Sequence, residues 1–414
     1  MLKVEIAATG NELLKGQIAD TNSPWIADQL RIIGAGARRI HTVGDEADAL
    51  AHLLREIAAR ADLALVTGGL GSTPDDVTLR AAADCSGRRL IADDEAGRSV
   101  AGFARERPDS VSPRTAAKQA LIPEKSTVLP NPLGTAPGFC LSLNGCLFVF
   151  LPGVPREMKQ MVPDSVLPLI RNQFADRLRP VLAHRLNIFG LTESGISRRL
   201  EEFRQLFPTI ELGFRFLFPR IQLSLSADRA QTSQEELDRS KQWVLKELGK
   251  NVVSAADETM PEVLGRLLRE KGATLSLAES CTGGLLSRRI TGVAGSSDYF
   301  PLSAVTYSNR TKIELLGVRE ATLQQYGAVH EETAGEMAEG MRHLAESTYA
   351  LSTTGIAGPG GGMPDKPVGT VCIGLASPEG TESRRVQWDS GGRQPNQSFF
   401  AECAMDLLRR RLTG

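Results

Sequence analysis

The chain has 414 residues, enough for two to four domains at roughly 100–200 residues per domain. Its 48 Lys and Arg residues nearly balance 49 Asp and Glu residues, so the formal net charge is -1. This balance excludes a nucleic-acid protein that binds through bulk positive charge and leaves only a local basic patch. No run of the ~18 apolar residues that a membrane helix needs occurs, and the first residues lack a signal-peptide pattern. Six cysteines are scattered without zinc or C-x-x-C spacing, so we expect reduced thiols in a cytoplasmic protein.

The first 170 residues alternate apolar strands with amphipathic helices, which predicts an α/β domain with a mostly parallel sheet. The predicted strands are Leu2–Ala8, Arg38–Val43, Leu63–Thr67 and Leu147–Leu151, and the predicted helices begin at about Thr21 and span Ala47–Arg60. Because the carboxyl ends of parallel strands share one edge of a sheet, we expect the loops after these strands to lie together and to bind a ligand.

A glycine-rich turn follows the third strand, in the segment from Leu65 to Thr78. Glycines at such a turn let backbone N–H groups approach an anion closely. The candidate phosphate-binding residues are Gly68, Gly69, Gly71 and Thr73. The adjacent Asp75 and Asp76 could hold a divalent cation that binds phosphate. The alternative is an ordinary tight turn in which an aspartate caps the next helix.

Taken together, these strand-end segments resemble the molybdopterin-binding fold, and more closely the amino-terminal domain of the CinA family. Asp45 and Asp76 match two acidic residues that serve nucleotidyl chemistry in molybdopterin adenylyltransferases. In CinA proteins the domain is linked to metal-dependent ADP-ribose pyrophosphatase activity. The resemblance therefore implies Mg²⁺ or a similar cation held by Asp45, Asp75 and Asp76. Ser72 departs from the family's Gly-Leu-Gly-Pro-Thr turn, but the glycines and acids are kept.

The pattern changes to a small α+β module near residue 180. Its predicted strands are Arg185–Phe189, Ile210–Leu217 and Ile221–Ala227, and its predicted helices are Glu193–Phe203 and Ser233–Leu248. This order predicts two helices against a three-stranded sheet. The strand around Phe214 lacks the Gly-x-x-Gly loop with which one class of module holds a nucleic-acid backbone, so we do not expect nucleic-acid binding. A spacer, an interaction domain and part of an active site all fit this module.

The α/β alternation resumes near residue 258. The predicted elements are a helix at Pro261–Glu270, strands at Thr274–Ala278, Ala304–Tyr307, Tyr349–Ser352, Val368–Leu375 and Ser383–Trp388, and helices at Glu331–Ala345 and Gln397–Leu412. The first of these strands runs into Ser280. A serine at such a turn can be a nucleophile, with the N–H groups of Cys281, Thr282 and Gly283 stabilising an oxyanion. Alternatively, Ser280 is a simple helix N-cap.

Two further segments follow at strand ends. Tyr307 ends a strand, and Lys312 lies about one helical turn beyond it. A lysine buried near a hydroxyl can act as a general base, because desolvation lowers its pKa. By itself, Lys312 would be a solvated helix lysine. The segment 353–362 contains five glycines, which suits a phosphate-binding loop or a flexible turn.

The ordered motifs AESCTGG, TYSN..K, TGIAGP and KPVGT resemble the carboxy-terminal domain of CinA, the nicotinamide mononucleotide deamidase. The resemblance implies Ser280 as nucleophile and Lys312 as base, with Tyr307 positioning the amide. It also implies that Thr354 and Gly355 help to hold the nucleotide, and that Arg393 binds its phosphate. The family usually has Gly-Asp-Arg where this chain has Gly-Gly-Arg at 391–393, so weaker phosphate binding is expected.

We therefore expect an α/β multidomain chain: a molybdopterin-binding-like domain over 1–170, a KH-type module over 180–252 and an amidase domain over 258–414. The expected protein is a hydrolase of pyridine-nucleotide salvage, and its ligands are nicotinamide mononucleotide and ADP-ribose. The amidase would need no metal. We expect a homodimer, although no residue pattern fixes the oligomeric state. The alternative is a non-catalytic adaptor in competence or DNA repair that binds a pterin or nucleotide.

Overall fold

The computed structural model describes residues 2–106 and 111–414. These residues form two compact units, Met1–Leu182 with Asp228–Gln231, and Ala183–Ala227 with Thr232–Gly414. Most of the middle module thus packs with the C-terminal part of the chain in one unit. The three sequence-derived domain boundaries stay a prediction.

A six-stranded sheet in the order β2-β1-β3-β8-β7-β6 forms the centre of the N-terminal unit. Its strands are β1 Val4–Thr9, β2 Ala37–Val43, β3 Leu63–Thr67, β6 Thr127–Leu129, β7 Gly138–Leu143 and β8 Cys146–Leu151, and β4 Leu90–Ala92 pairs separately with β5 Leu121–Pro123. Strands β2, β1, β3 and β8 are parallel, and β8, β7 and β6 are antiparallel. The predicted α/β fold with a mostly parallel sheet is confirmed.

Helices cover both faces of this sheet. They are α1 Asn11–Leu14, α2 Asn22–Ile32, α3 Ala47–Ala58, α4 Thr78–Ser86, α5 Asp94–Glu106, α6 Pro113–Gln119, α7 Pro155–Met161 and α8 Leu167–Gln173, with a π-helical turn at Val162–Val166. Successive side chains of a strand point to opposite faces. In β3, Leu65 therefore packs with Ile26 of α2, whereas Val66 packs with Leu54 of α3. This double burial explains why the strands are continuously apolar in sequence.

The C-terminal unit contains a five-stranded sheet in the order β14-β13-β15-β16-β17 and the four-stranded sheet β10-β11-β9-β12. The strands are β9 Val181–Ile188, β10 Glu211–Leu217, β11 Arg220–Asp228, β12 Val252–Ser254, β13 Leu275–Glu279, β14 Leu302–Val305, β15 Tyr349–Ile356, β16 Thr370–Ser377 and β17 Gly380–Gln387. The expected three-stranded sheet of the middle module is wrong, because β12 pairs antiparallel with β9 and adds a fourth strand.

Nine α-helices lie in the described part of this unit. They are α9 Glu193–Arg199, α10 Phe203–Leu206, α11 Gln234–Leu248, α12 Met260–Glu270, α13 Leu285–Thr291, α14 Asn309–Leu316, α15 Glu320–Tyr326, α16 Glu331–Ala345 and α17 Arg393–Thr413. Helices α12, α13 and α17 pack on one face of the five-stranded sheet, and α14 and α16 pack on the other. Strand β13 lies between the parallel neighbours β14 and β15, so its carboxyl end opens in the middle of the sheet. Within the described residues, no helix combines the length and apolarity needed to span a membrane.

Candidate active site

Ser280 and Lys312 are in contact in the C-terminal unit. Ser280 is the first residue after β13, and its N–H donates to the Thr353 carbonyl oxygen at 2.9 Å. Lys312 lies on α14, and its Nζ is 3.2 Å from the Ser280 Oγ. The two side chains are 8% and 1% exposed, respectively. The solvated-lysine alternative is therefore wrong. The N-cap alternative is also wrong, because α13 begins at Leu285 with Gly284 as its N-cap.

The surroundings of the Lys312 amine make it easier to deprotonate than an exposed lysine. Its Nζ also donates to the carbonyl oxygens of Thr306 at 2.8 Å and Tyr307 at 3.4 Å. No carboxylate forms an ion pair with it in the part of the chain that the structure describes. Burial away from water lowers the pKa of Lys312 to about 8, against 10.5 for a free lysine. A neutral amine has two N–H groups, which the two carbonyls can accept, so its lone pair is left for the Ser280 hydroxyl.

A buried glutamate holds the turn that carries the serine. The Glu279 carboxylate is fully buried and accepts the N–H groups of Gly284 at 3.0 Å, Leu286 at 3.1 Å and Ser287 at 2.8 Å. These groups belong to the start of α13, where a helix has unpaired N–H donors. Sequence analysis did not assign Glu279 a role. The available signal was an acidic residue between an apolar strand and a glycine turn.

The N–H groups predicted to stabilise an oxyanion are not equivalent. Gly283 donates its N–H to the Ser280 carbonyl at 3.1 Å, so this donor is already used within the turn. The N–H groups of Cys281 and Thr282 make no hydrogen bond to any described residue. Burial raises the pKa of the Cys281 thiol to about 12, so that it stays protonated and is a poor nucleophile. The free donors of the turn are thus those of Cys281 and Thr282.

Tyr307 and Arg393 form the exposed side of the site. The Tyr307 side chain is 62% exposed, and its hydroxyl accepts a hydrogen bond from Arg393 Nη2 at 2.9 Å. Arg393 Nη1 donates to the Gly358 carbonyl at 2.9 Å. Arg393 is the first residue of α17, and Gly392 is the N-cap. The guanidinium is therefore held by a hydroxyl and a carbonyl, and the residue before it, Gly392, has no side chain to contribute.

Thr354 and Gly355 lie in a strand rather than in a glycine loop. Strand β15 extends to Ile356, so the expectation that it ends at Ser352 is wrong. The Thr354 hydroxyl donates to the Ala328 carbonyl at 2.6 Å. A Cβ on Gly355 would be only 2.5 Å from the Thr370 carbonyl oxygen of β16. Thr354 and Gly355 are thus both paired with β16 inside the sheet, and the glycine-rich loop begins only after Ile356.

The predicted N-terminal site is a cavity of about 380 Å³ at the carboxyl ends of β1 and β3. Six of the seven predicted residues line it: Gly68, Gly69, Gly71, Asp45, Asp75 and Asp76. Thr73 is not among the described lining residues. Its N–H and hydroxyl instead donate to the Asp76 carboxylate at 2.8 and 2.5 Å. Gly71 leaves room for this contact, because a Cβ there would be 2.5 Å from Asp76 Oδ2.

The three aspartates are held differently. Asp45 Oδ2 accepts the N–H of Asn11 at 2.8 Å. Hydrogen bonding within its own turn, together with the positive charge of Lys118, lowers the pKa of Asp75. The helix-capping alternative is wrong, because α4 begins at Thr78 with Val77 as an N-cap that makes no side-chain hydrogen bond. Among the described residues, no three Asp, Glu, His or Cys side chains are close enough to form a metal-binding group. The carboxylate oxygens suit Mg²⁺, but a cation would need further oxygens from a ligand or water.

Three neutral polar residues that no sequence motif indicated also line this cavity. Thr9 Oγ1, Asn22 Oδ1 and Gln119 Oε1 are buried and have no hydrogen-bond partner among the described residues. The Asn22 amide is fixed, because its Nδ2 donates to Thr67 Oγ1 at 3.0 Å and to the Gly153 carbonyl at 2.8 Å. Buried polar atoms usually have partners, so these three are candidates for ligand contacts. Their separation along the chain explains why no motif revealed them.

Two family models match separate parts of the chain. Residues 257–412 match the CinA C-terminal domain, and residues 5–172 match the probable molybdopterin binding domain. The first match includes the Ser280–Lys312 pair, and the second includes the N-terminal cavity.

Curated relatives match the whole chain. A CinA-like protein of Desulfosudis oleivorans is 44% identical, with 99% of each chain covered, and one of Geobacter metallireducens is 43% identical, again with 99% of each covered. The solved structure of the competence/damage inducible protein CihA from Agrobacterium tumefaciens is 35% identical in sequence, with a TM-score of 0.36. The match covers 38% of this chain and 98% of the CihA chain. On the full-length identity and the two domain matches, the chain belongs to the CinA family.

Proposed function

We propose that the C-terminal unit deamidates nicotinamide mononucleotide to nicotinic acid mononucleotide and ammonia. The observation that carries this proposal is the buried hydrogen bond between Lys312 Nζ and Ser280 Oγ. A serine hydroxyl is a weak nucleophile until a neighbouring base removes its proton. A lysine with a pKa of about 8 is roughly one-tenth neutral at pH 7, whereas a free lysine is almost entirely charged.

The proposed reaction has two halves. The Ser280 Oγ attacks the carboxamide carbon while its proton passes to the Lys312 amine. The resulting ammonium donates a proton to the carboxamide nitrogen, the C–N bond breaks, and ammonia leaves an acyl-serine ester. Water then attacks this ester, again losing a proton to Lys312, and the serine is regenerated as the carboxylate product leaves. The N–H groups of Cys281 and Thr282 would stabilise the oxyanion in both halves.

Arg393 would bind the rest of the nucleotide. A guanidinium can bind phosphate through two parallel hydrogen bonds. Its present partners, the Tyr307 hydroxyl and the Gly358 carbonyl, keep it beside the residues that hold Lys312. The chemistry uses a serine and a lysine only, so this proposal includes no metal.

The test is ammonia release from nicotinamide mononucleotide without added metal. We expect the wild type to release ammonia, and Ser280→Ala and Lys312→Met to release less than about one-thousandth as much, since each removes one member of a unit that acts together. Ser303→Ala, on the neighbouring strand β14, is the matched control and should behave as the wild type does. Turnover by Ser280→Ala would exclude the serine as nucleophile. A folded but inactive wild type would overturn the proposed function.

We propose a second activity for the N-terminal unit, the metal-dependent hydrolysis of ADP-ribose to AMP and ribose 5-phosphate. It is supported by the cavity that combines the glycine turn at Gly68–Gly71 with Asp45, Asp75 and Asp76. Because the three carboxylates do not form one ligand group, one or two of them, with oxygens from the ligand or water, would hold the divalent cation, which when bound stabilises charge on the pyrophosphate. The N–H groups of Gly69 and Gly71 would bind phosphate oxygens, since the Gly68 N–H already donates to the Leu151 carbonyl at 3.0 Å, and Asn22 would orient the ligand.

This second proposal is tested by AMP release with Mg²⁺, with EDTA and in Asp45→Asn. We expect at least a hundredfold loss in the last two cases, because both remove charge that holds the cation. Ser280→Ala should keep the wild-type rate, since it changes the other unit. Full activity in EDTA would exclude a metal. Tight binding of a pterin, a nucleotide or DNA by titration calorimetry, with no turnover of either substrate, would favour the adaptor.

A further inference from the structure

Thr306 contacts both the end of the strand that leads to Ser280 and the Lys312 amine, and it has an unused hydroxyl. It follows β14, is 1% exposed and was singled out in the sequence only as part of the TYSN motif. Its N–H donates to the carbonyl of Glu279, the residue before Ser280, at 2.8 Å. Its carbonyl accepts the Lys312 Nζ at 2.8 Å. Both backbone groups of Thr306 therefore bind the elements that carry the catalytic pair.

The side-chain hydroxyl of Thr306 has no hydrogen-bond partner among the described residues. The other buried hydroxyls of this site do have partners in the protein. Thr282 and Thr353 bind each other at 2.7 Å, and Thr354 binds the Ala328 carbonyl at 2.6 Å. Unlike these three threonines, Thr306 thus has a side-chain hydroxyl that is not hydrogen-bonded to a described residue.

An unpaired buried hydroxyl destabilises a folded protein, and a valine of the same shape would remove that cost. A polar atom kept at such a place is explained when it binds something that enters the site. Lys312 bonds both the Thr306 carbonyl and the Ser280 hydroxyl, so a carboxamide attacked by Ser280 would lie beside Thr306. A carboxamide offers N–H donors, and a threonine hydroxyl can accept from them.

We propose that the Thr306 hydroxyl accepts a hydrogen bond from the carboxamide nitrogen of the substrate. This inference rests on the proposed deamidase function and adds a substrate-binding residue to it. The contact would turn the carboxamide so that its nitrogen lies near Lys312, which donates the proton that ammonia needs. It would also favour an amide over an ester, whose leaving oxygen has no hydrogen to donate.

The test compares two substrates in the wild type and two variants. Wild type, Thr306→Val and Thr306→Ser are assayed with nicotinamide mononucleotide and with the methyl ester of nicotinic acid mononucleotide. We expect Thr306→Val to lower kcat/KM for the amide by about tenfold, the effect of one hydrogen bond. Its kcat/KM for the ester should stay within about twofold of the wild type, since the ester makes no such contact. Thr306→Ser keeps the hydroxyl and should restore the preference for the amide.

Folding is controlled by urea unfolding and by a matched variant. Thr306→Val should be at least as stable as the wild type, because the hydroxyl that it removes has no protein partner. Ser126→Ala removes another buried, unpaired hydroxyl, in the N-terminal unit, and should leave both rates unchanged. Equal losses on amide and ester, or no loss on either, would overturn the role of Thr306 while leaving the deamidase in place. A folded wild type that hydrolyses neither substrate would overturn the deamidase and this role with it.

Discussion

Replacing Lys312 by methionine tests the buried amine directly. Methionine has a similar length and no charge, so it removes the titrating group while keeping most of the packing. Below about pH 8 the lysine is charged in both the folded and the unfolded chain, and its burial then costs folding free energy. A pKa lowered from 10.5 to about 8 corresponds to a cost of about 3 kcal/mol. This cost disappears as pH rises past 8 and the folded-state amine loses its proton before the unfolded one.

The difference in unfolding free energy between wild type and Lys312→Met should therefore depend on pH. Between about pH 6.5 and pH 9.5 the wild type should gain about 2 kcal/mol relative to the variant. At the lower pH the variant should be the more stable protein, since replacing a buried charge by an apolar side chain is often stabilising.

The assay is urea unfolding followed by tryptophan fluorescence in a Trp25→Phe background. The chain has three tryptophans, and the two that remain, Trp243 and Trp388, both lie in the C-terminal unit. Fluorescence then reports the unit that contains Lys312. A difference in unfolding free energy that stays constant with pH would mean that the amine has an ordinary pKa. That result would refute the argument that burial makes Lys312 a base.

Three further predictions concern the same site. The kcat/KM for ammonia release should rise with pH through about 8 and then level off, as a rate profile would show, because the free-enzyme Lys312 must be neutral to act. Glu279→Gln should lower the unfolding free energy by about 1–3 kcal/mol in urea titrations, since an amide cannot accept as many N–H groups as the carboxylate does. Gly355→Ala should destabilise the unit by a similar amount in the same titrations, because its Cβ would be 2.5 Å from the Thr370 carbonyl. An unchanged unfolding free energy in Glu279→Gln or in Gly355→Ala would contradict the contact on which that prediction rests.

The sequence predicted the fold and the position of Ser280 at a strand end well, because both have local signals. A run of apolar residues ending in glycines, as at Leu63–Thr67 or before Ser280, indicates a buried strand followed by a tight turn. Helix α16 was predicted with its observed bounds, Glu331–Ala345, from its periodicity. The helical stretch 155–173 was missed, since Pro163 and Pro168 suggest a loop. In the folded chain it continues through a π-helical turn at Val162–Val166, packed on the sheet.

Contacts between distant residues could not be predicted in this way. The strand at Thr354 extends further than its glycines suggest because β16 pairs with it, and β16 lies some fifteen residues later in the sequence. The role of Glu279 depends on α13 folding back over its carboxylate. In the N-terminal unit, Asn22 and Gln119 reach one cavity from separate helices. Each case depends on tertiary packing, which overrides the local pattern.

The sequence around Lys312 contains a further signal, which indicates that this lysine is buried. Its neighbours Arg310, Thr311 and Glu314 make the start of α14 look solvated, which is why an exposed lysine was a fair alternative. Residues four apart share a face of a helix, however, and Leu316 follows Lys312 at that spacing. Leu316 and Lys312 are the two buried residues of α14. Burial disfavours the charge of a lysine on the core-facing side of a short helix and lowers its pKa, and here the Ser280 hydroxyl and two backbone carbonyls are hydrogen-bond partners for the buried amine. A single lysine on the apolar face of a helix is therefore itself a sequence signal for a general base. The Lys312→Met variant tests this interpretation.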